Sequence, residues 1–388
     1  MTDAEDRIYL DHNATSALRP EARDAVLRAM DEVHGNPSSQ HAEGRKARET
    51  LERARERIAT LAGRAAGSLV FTSGGSEAIA AGIRGVCDRA PHDLRRIIVG
   101  AADHTAVLES ARLASKRGFV VVRVPCGREG RVDVDAFRTQ VGEGVALAVL
   151  HWANNETGVV QPVEEIGRAC REAGVPFLVD AVQALGKVPI DSRDVAADLL
   201  AVSAHKIGGP PGIGALIVRR GIVLAPLIGG TQEKRRRGGS EAVAAAAGFA
   251  AAAEIAAATM KEEGRRQLRL RAKIETRLRE AFPEVRFHGQ AAPRLPNTVN
   301  FALPGIPGET LAIALDLAGL AVSTGSACSS GAVEPSHVIR AMGFDDEEAR
   351  GAVRVSLGWS TGSDEVDRFL ERFPGVVEQV RRGLDDRR

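Results

Sequence analysis

Short apolar segments alternate with helical periods through the first two thirds of this chain. The segments cover residues 68–71, 96–99, 119–124, 145–150, 176–179, 199–202 and 215–218, and helical patterns lie between most of them. Continuous apolar strands separated by helices are typical of a largely parallel sheet that is covered on both faces. The pattern therefore predicts an α/β fold.

The pattern changes in the last third of the chain. An alanine-rich helix from Glu241 leads into a charged helical stretch over 261–281, and strand-like segments at 298–303, 320–323 and 352–356 then occur among helices. Because 388 residues exceed one ordinary core, we expect two domains. We predict a large domain over residues 13–260 and a smaller α/β domain formed by residues 1–12 and 261–388.

The charge balance argues against several classes of partner. The formal net charge is +1, so no global field attracts nucleic acid or a membrane. The basic run Lys234–Arg237 is short and has no interleaved aromatic residues, so we expect no nucleic-acid binding. The apolar stretch Ala242–Ala253 is too short to span a bilayer, and a packed helix is predicted there. The acidic start lacks an apolar signal core, which favours a cytoplasmic location.

The chain has four cysteines, and no two of them form a Cys-x-x-Cys pair. The spacing therefore indicates neither a zinc site nor a redox dithiol. Cys87 and Cys170 fall in apolar helical patterns and are expected to fill core space, and Cys126 is given no role.

Cys328 differs from the other three because its neighbours are serines and glycines, in Thr-Gly-Ser-Ala-Cys-Ser-Ser-Gly-Ala over 324–332. Such a stretch offers little core packing and predicts a mobile loop that carries a reactive thiol. A buried structural cysteine, the alternative, would normally have apolar neighbours. After this stretch, Glu334–Pro335 is expected to start a helix that ends near Gly343.

Polar side chains follow four of the predicted strands. Ligands bind beyond the carboxyl ends of strands in open α/β sheets, which makes such side chains candidates for a site. Each alone has an ordinary explanation, as a turn, a helix cap or a surface group. Their clustering favours a site instead. The residues are His104, Asn154, Asn155, Asp180, Gln183, Ser203, His205 and Lys206.

The segment Phe-Thr-Ser-Gly-Gly-Ser-Glu over 71–77 runs from a strand into a helix that is expected to begin at Glu77. Backbone N–H groups at a helix start, with small side chains around them, suit an anion such as a phosphate. A serine-rich helix cap would have the same sequence, so the motif alone is weak. It lacks both the Gly-Lys-Ser/Thr of a nucleotide loop and the full dinucleotide glycine pattern.

A phosphate cradle, an aspartate and a lysine at strand ends together indicate pyridoxal phosphate. Lys206 would form the Schiff base, although an isolated lysine at a strand end is more often a solvent-exposed residue. Asp180 would keep the pyridine nitrogen protonated, so that the ring acts as an electron sink.

The motifs together resemble the class V aminotransferase group of pyridoxal-phosphate enzymes, and within it the cysteine desulfurases of the NifS/IscS type. The resemblance covers nearly the whole chain. It is carried by Ser-Ala-His-Lys over 203–206, Asp-Ala-Val-Gln over 180–183, Ala-Asn-Asn-Glu-Thr-Gly over 153–158, Ile-Tyr-Leu-Asp-His-Asn-Ala-Thr over 8–15, Gly-Asn-Pro-Ser-Ser over 35–39, Arg-Arg-Gly-Gly-Ser-Glu over 236–241 and Ser-Thr-Gly-Ser-Ala-Cys-Ser-Ser over 323–330.

The resemblance implies the pyridoxal-phosphate-dependent transferase fold of aspartate-aminotransferase type and a reaction on L-cysteine. Lys206, displaced from the cofactor by cysteine, would abstract the α-proton, and His104 would stack on the ring and help to move protons. The Cys328 thiolate would attack the substrate sulfur, giving a Cys328 persulfide and L-alanine.

The same resemblance assigns binding roles. Asp180 would bind the pyridine nitrogen and Gln183 the ring oxygen; Asn155 and Arg354 would bind the substrate carboxylate. The remaining cofactor contacts would come from His104 on the ring and from the phosphate-binding residues Gly75, Ser76, Ser203, His205 and, from the partner subunit, Ser240.

The resemblance also implies partners. We expect a homodimer that passes sulfur to an iron–sulfur scaffold or another acceptor protein, with Cys328 as a transient cluster ligand at most. Alternatives remain open: a selenocysteine lyase, a transaminase of the same fold, or a non-enzymatic sulfur-transfer scaffold. The chain departs from the family where it has His12 instead of Asn, and serine instead of threonine at Ser76 and Ser240.

Overall fold

The computed structural model of the protein describes residues 7–190, 195–325 and 334–386. Its strands are β1 (Ile8–Tyr9), β2 (Leu69–Thr72), β3 (Arg96–Gly100), β4 (Val120–Val124), β5 (Val145–His151), β6 (Phe177–Asp180), β7 (Leu199–Ser203), β8 (Gly214–Val218), β9 (Arg286–Phe287), β10 (Thr298–Ala302), β11 (Leu320–Ala321), β12 (Ser323–Thr324) and β13 (Val353–Ser356).

Helices connect most of these strands. They are α1 (Pro20–Glu32), α2 (Ala42–Leu61), α3 (Gly75–Cys87), α4 (Thr105–Ser115), α5 (Val134–Gln140), α6 (Val163–Glu172), α7 (Gln232–Arg235), α8 (Val243–Ala281), α9 (Gly308–Leu317), α10 (His337–Ala341), α11 (Asp346–Gly351) and α12 (Ser363–Asp385).

The largest sheet in the described part of the chain has seven strands in the order β2-β8-β7-β6-β5-β3-β4. Strands β4, β3, β5, β6 and β7 pair in parallel, and β8 lies antiparallel to both β7 and β2. The predicted α/β fold with a mostly parallel sheet is therefore confirmed. Two antiparallel steps leave β2 running in the same direction as β7, so the carboxyl ends of β2, β3, β5, β6 and β7 meet at one edge.

Alternate residues of these strands pack into two different hydrophobic clusters. In β6, Phe177 and Val179 pack with residues of α2, α6 and α8, whereas Leu178 packs with residues of α3 and α4. Since successive side chains of a strand point to opposite faces, helices cover the sheet on both sides. This burial explains why the strands read as continuous apolar runs in the sequence.

A second core lies in the C-terminal third. It unites Ile8 and Leu10 with described apolar residues between Leu270 and Val380, around the sheet β12-β13-β10-β9 and the parallel pair β1–β11. Helix α8 runs without interruption for 39 residues across position 260. Its first half packs against α1 and α2, and its second half contributes Leu270, Ile274 and Leu278 to the second core. The division into domains at residue 260 stays a prediction.

Helix α8 is long and apolar enough to cross a membrane by length and composition alone, with a mean hydropathy of 1.6 in its most apolar window. Its alanine-rich half, however, contributes Ala246, Phe249, Ala250 and Ala253 to the core beside the large sheet. The stretch predicted to be a packed helix is thus part of a helix that packs in the core.

Two local predictions, the starts of helices α3 and α10, were wrong, and a third, the strand over 320–323, was incomplete. Helix α3 begins at Gly75, two residues before Glu77. The segment 320–323 divides between two sheets, because Leu320 pairs with β1 and Ser323 pairs with β13. Helix α10 begins at His337, after Pro335, because the Ser336 hydroxyl caps it by accepting a hydrogen bond from the Ile339 N–H.

A buried ion pair ties α2 to β2 and α7. Two nitrogens of Arg55, Nη1 and Nη2, donate to the Glu233 carboxylate at 2.6 and 2.8 Å, and the two side chains are 8% and 2% exposed. Glu233 also accepts from the Phe71 N–H at 3.1 Å. The backbone at Glu233 is left-handed, with φ of 47°, so this contact holds an unfavourable turn in place.

We predict that Glu233→Gln lowers the free energy of unfolding by about 3 kcal/mol, because it removes the buried carboxylate and leaves Arg55 with only the largely exposed Glu52 as a charged partner. Urea denaturation followed by circular dichroism measures the change. The matched control is Glu49→Gln in the exposed pair Glu49–Arg53, whose side chains are 64% and 60% exposed; it should cost less than about 1 kcal/mol. Equal effects of the two substitutions would contradict the assignment.

Candidate active site

A cavity of about 400 Å³ opens at the edge of the large sheet where the parallel strands end. It brings together most of the residues that the sequence nominated from separate strands. They are Gly75, Ser76, His104, Asn155, Asp180, Gln183, Ser203, His205, Lys206 and Arg354.

Three nominated residues are not in this lining. Asn154 is buried in the turn after β5, where its side-chain oxygen accepts hydrogen bonds from two backbone N–H groups of that turn. Ser240 is exposed and lies away from the cavity, and its predicted contact requires a second subunit. Cys328 lies outside the described residues, although Ser323, Thr324 and Gly325, shortly before it in the chain, line the cavity. The roles of Ser240 and Cys328 stay predictions.

One end of the cavity is built to bind an anion. The first residues of α3, Gly75 and Ser76, line it, and the N–H groups of a first helical turn have no partner within their own helix. The Ser203 hydroxyl is buried beside them and has no hydrogen-bond partner among the described residues. A buried hydroxyl without a partner at a helix start fits a phosphate oxygen.

The floor of the cavity carries Asp180 and His151, and a second acidic residue, Asp103, is buried against His151 outside the lining. Asp180 and His151 are neighbours in register at the ends of β6 and β5. The Asp103 carboxylate contacts His151 Nδ1 and accepts hydrogen bonds from the N–H groups of His151 and Gly100. Burial raises the pKa of Asp180 to about 6, and a positive group against its free oxygen would restore the charged form.

Lys206 enters the cavity from a single 3₁₀ turn that directly follows β7. Its Nζ donates to the carbonyl oxygens of Asn13 and Ala14 at 2.7 and 2.6 Å. Burial, together with the positive charge of Arg354, lowers the pKa of Lys206 from 10.5 to about 8. Roughly a tenth of the amine is therefore neutral and nucleophilic at pH 7, far more than for a solvated lysine.

His104 caps helix α4, where its Nδ1 accepts a hydrogen bond from the Ala106 N–H at 3.1 Å. Burial lowers the pKa of His104 to about 4, so the ring is neutral at physiological pH. A neutral ring with Nδ1 as acceptor carries its proton on Nε2. The helix cap thus fixes the tautomer that His104 presents to the cavity.

Arg354 projects from β13 and is 4% exposed. It donates to the Asn155 carbonyl oxygen at 3.1 Å and to Asp11 at 2.6 Å, while its Nε has no partner among the described residues. The guanidinium plane is held from two sides and retains a free donor. The arrangement suits recognition of a carboxylate.

The sequence did not single out Asn13 or Lys187, which form the hub of a buried network. Lys187 Nζ donates to the Gln183 and Asn13 side-chain oxygens at 2.7 and 3.1 Å. Burial lowers the pKa of Lys187 to about 7, with the charges of Lys206 and Arg354 adding to the effect. The sequence could have indicated Lys187 through its spacing of four residues from Gln183, because this spacing places the two side chains on one face of a helical turn.

His151 and Glu156 were missed as well. His151 is the last residue of β5 and lines the cavity. Its position at a strand end is the same sequence feature by which Asp180 was predicted. Glu156 is fully buried, accepts from the Ser336 hydroxyl at 2.5 Å and leaves no room for a Cβ at Gly325. Burial raises the pKa of Glu156 to about 7.

His12, a departure from the usual family residue, lies outside the cavity. It is buried against Gly358, where a Cβ would overlap its ring, and its Nδ1 lies 3.0 Å from the Ser16 hydroxyl. His12 lines a narrow cleft of about 40 Å³ on the other side of Lys206. The histidine ring, which is larger than an asparagine side chain, is therefore accommodated without displacing a residue that lines the cavity.

The comparison with known proteins agrees with this geometry. Residues 8–369 match the protein family described as aminotransferase class-V. The chain belongs to the class V aminotransferase family.

Individual relatives of this family cover nearly the whole chain. A protein named cysteine desulfurase from Cereibacter sphaeroides is 44% identical over 97% of each chain. A solved structure titled NifS-like protein has a TM-score of 0.90 and 33% identity, covering 96% of this chain and 99% of its own. The solved structure of SspA in complex with cysteine has a TM-score of 0.80 and 29% identity, covering 90% and 98%.

Membership of the class V family implies pyridoxal phosphate, and the cavity fits it. The free Ser203 hydroxyl and the first turn of α3 suit its phosphate, Asp180 its ring nitrogen and Lys206 its aldehyde carbon. In the part of the chain that the structure describes, no group of three or more His, Cys, Asp or Glu residues could hold a metal ion.

The lowered pKa of Lys206 predicts how pyridoxal phosphate attaches to the cofactor-free protein. Only the neutral amine attacks the aldehyde, so the rate should rise with pH to a midpoint near 8 and level off above it. Stopped-flow absorbance measures the rate. Arg354→Gln should move the midpoint upward because it removes a positive charge, and Lys206→Ala should abolish the signal. A wild-type midpoint near 10.5, typical of a solvated lysine, would contradict the burial argument.

Proposed function

We propose that this protein is a pyridoxal-phosphate-dependent cysteine desulfurase, which converts L-cysteine to L-alanine and retains the sulfur as a persulfide on Cys328. The observation that carries the proposal is the convergence of Lys206, Asp180, Ser203 and Arg354 on one cavity. The names of the relatives, cysteine desulfurase and a cysteine complex, support the choice of substrate.

When bound, pyridoxal phosphate supplies an electron sink for the bond-breaking at the cysteine α-carbon. The protein's part is to place groups around it. Lys206 Nζ, once released from the cofactor, accepts the α-proton; its lowered pKa keeps it available as a base near neutral pH. Asp180 holds its charge against the ring nitrogen, and His104 presents Nε2–H to the cavity.

Arg354 orients the substrate in this proposal. Its Nε, which is free among the described residues, donates to the cysteine carboxylate, while Asp11 and the Asn155 carbonyl oxygen keep the guanidinium in place. Charge-assisted hydrogen bonds of this kind are short and directional. The α-proton is thereby turned towards Lys206 Nζ.

Cys328 completes the reaction as a nucleophile. Its thiolate attacks the substrate sulfur, the carbon–sulfur bond breaks, and the substrate β-carbon is protonated so that alanine leaves. The new sulfur–sulfur bond leaves a persulfide on Cys328. The sequence around Cys328, with its serines and glycines, supports a reactive thiol rather than a core residue.

The proposal includes partners for the persulfide. The protein would act in the cytoplasm as a homodimer, in which the second copy supplies Ser240 to the phosphate. The sulfur would pass to an iron–sulfur scaffold or another acceptor, where Cys328 could contact a nascent cluster transiently. The family resemblance is the support for these assignments.

The reaction itself is tested by incubating the purified protein with L-cysteine and a thiol reductant. Alanine and sulfide should form in equal amounts, since each turnover releases one of each. Lys206→Ala is the control, because it removes both the cofactor attachment and the base. Alanine formation no faster than in Lys206→Ala would refute the proposed function.

Cys328→Ser should abolish persulfide formation and sulfur transfer while leaving the absorbance of the bound cofactor unchanged. The hydroxyl cannot attack sulfur, whereas the cofactor contacts lie elsewhere. Persulfide is measured by alkylation and mass spectrometry. Cys126→Ser, at a half-buried cysteine away from the cavity, is the control and should retain activity. Loss of the cofactor absorbance in Cys328→Ser would contradict the assigned role.

Arg354→Gln should raise KM for cysteine by roughly 10-fold to 100-fold, because it removes charge-assisted hydrogen bonds to the carboxylate. Steady-state kinetics over a range of cysteine concentrations measures it. Arg340→Gln, at an exposed arginine paired with Asp346, should leave KM unchanged. An unchanged KM in Arg354→Gln would exclude Arg354 as the carboxylate ligand.

A further inference from the structure

Lys187 is a half-buried lysine whose amine the proposed mechanism does not use. It follows β6 by seven residues and lies one helical turn after Gln183, because the chain folds back with the Lys187 N–H bonded to the Ala184 carbonyl. Its Nζ contacts two side-chain amide oxygens, those of Gln183 and Asn13, at 2.7 and 3.1 Å.

These contacts define which way the Gln183 amide points. Lysine Nζ donates hydrogen bonds, so the Gln183 oxygen must face Lys187. On the other side, the Asn13 main-chain oxygen can only accept, and it receives the Gln183 Nε2 proton at 2.8 Å. The donor Lys187 and the acceptor oxygen of Asn13 therefore impose the same orientation on the Gln183 amide. Even as a neutral amine, Lys187 keeps N–H donors for both oxygens.

Asn13 is oriented by the same amine. Its side-chain oxygen accepts from Lys187 and from Asn297 Nδ2 at 3.0 Å, so its own Nδ2 faces the Asn155 carbonyl and the Thr298 hydroxyl. The Asn13 main-chain oxygen accepts from both Gln183 and Lys206. Asn13 and Gln183 are 1% and 5% exposed, so water does not compete for these bonds.

We propose that Lys187 is a positioning residue that holds the Gln183 amide with Nε2 towards the cavity, where its second proton is available to the ring oxygen of the cofactor. Without Lys187, the Asn13 main-chain oxygen alone would hold this orientation. Amides that rotate would turn an acceptor towards the ring oxygen, so that two electronegative atoms face each other. The inference rests on the proposed function, since it concerns the bound cofactor.

A double-mutant cycle tests whether Lys187 acts through Gln183. Lys187→Met keeps the length of the side chain and removes its donors, and Gln183→Met removes the amide. The dissociation constant of pyridoxal phosphate is measured on the full-length protein by removing and restoring the cofactor. Lys187→Met should weaken binding about tenfold in the wild-type background and not at all beside Gln183→Met. The control Lys116→Met, at an exposed lysine after α4, should have no effect.

A spectroscopic measurement separates this role from a packing defect. A donor to the ring oxygen stabilises its anionic form, so Lys187→Met should raise the midpoint of the cofactor's absorbance–pH titration. Lys187→Gln, which retains a donor, should restore affinity and midpoint in part, and it replaces Lys187→Met if that variant does not fold.

Two results would overturn the inference: wild-type affinity in Lys187→Met, or a tenfold loss that is the same with and without Gln183. Failure of the proposed function is a separate result, because it appears as absence of alanine formation in the wild-type protein itself. If the wild type is active and the effects of the Lys187 and Gln183 substitutions are additive, the role of Lys187 is rejected and the proposed function is not.

Discussion

Desolvation of positive charge is the constraint on which the site depends. Lys206, Lys187 and Arg354 converge beside one cavity, and burial lowers the pKa of both lysines. Buried cations persist only where oxygen atoms compensate them. Arg354 is paired with a carboxylate, that of Asp11, whereas the two lysines are compensated mostly by neutral oxygens, those of Asn13, Ala14 and Gln183. The lysines are thus stabilised without the full counter-charge that would raise their pKa values.

The oxygens come from parts of the chain that are far apart. Asn13 follows β1, whose neighbours belong to the C-terminal core, yet it contacts Gln183 and Lys206 at the edge of the large sheet. Asn297 and Ser356, from the C-terminal third, contact Asn13 in turn. The two sheets therefore share one buried network at the cavity. A change in the packing of either core is therefore expected to alter the hydrogen bonds of Lys206 through this network.

Much of the site could be predicted because parallel strands have a common direction. Asp180, Ser203 and Lys206 each follow an apolar run, and such residues meet at one sheet edge whatever the strand order. Lys187 and Asn13 gave no comparable signal: one lies in a turn and the other near the start of the chain. Their importance depends on contacts between residues up to 343 positions apart, and local patterns do not encode those.

The sequence by itself determined the α/β fold, the cofactor chemistry and most of the residues around the cavity, because strand periodicity and strand-end residues are local properties. The tertiary structure decided the tautomer of His104, the orientation of the Gln183 amide and the lowered pKa values of Lys206 and Lys187. Each of these depends on which polar groups surround a side chain and how far water is excluded. Only the packing of distant segments sets those conditions.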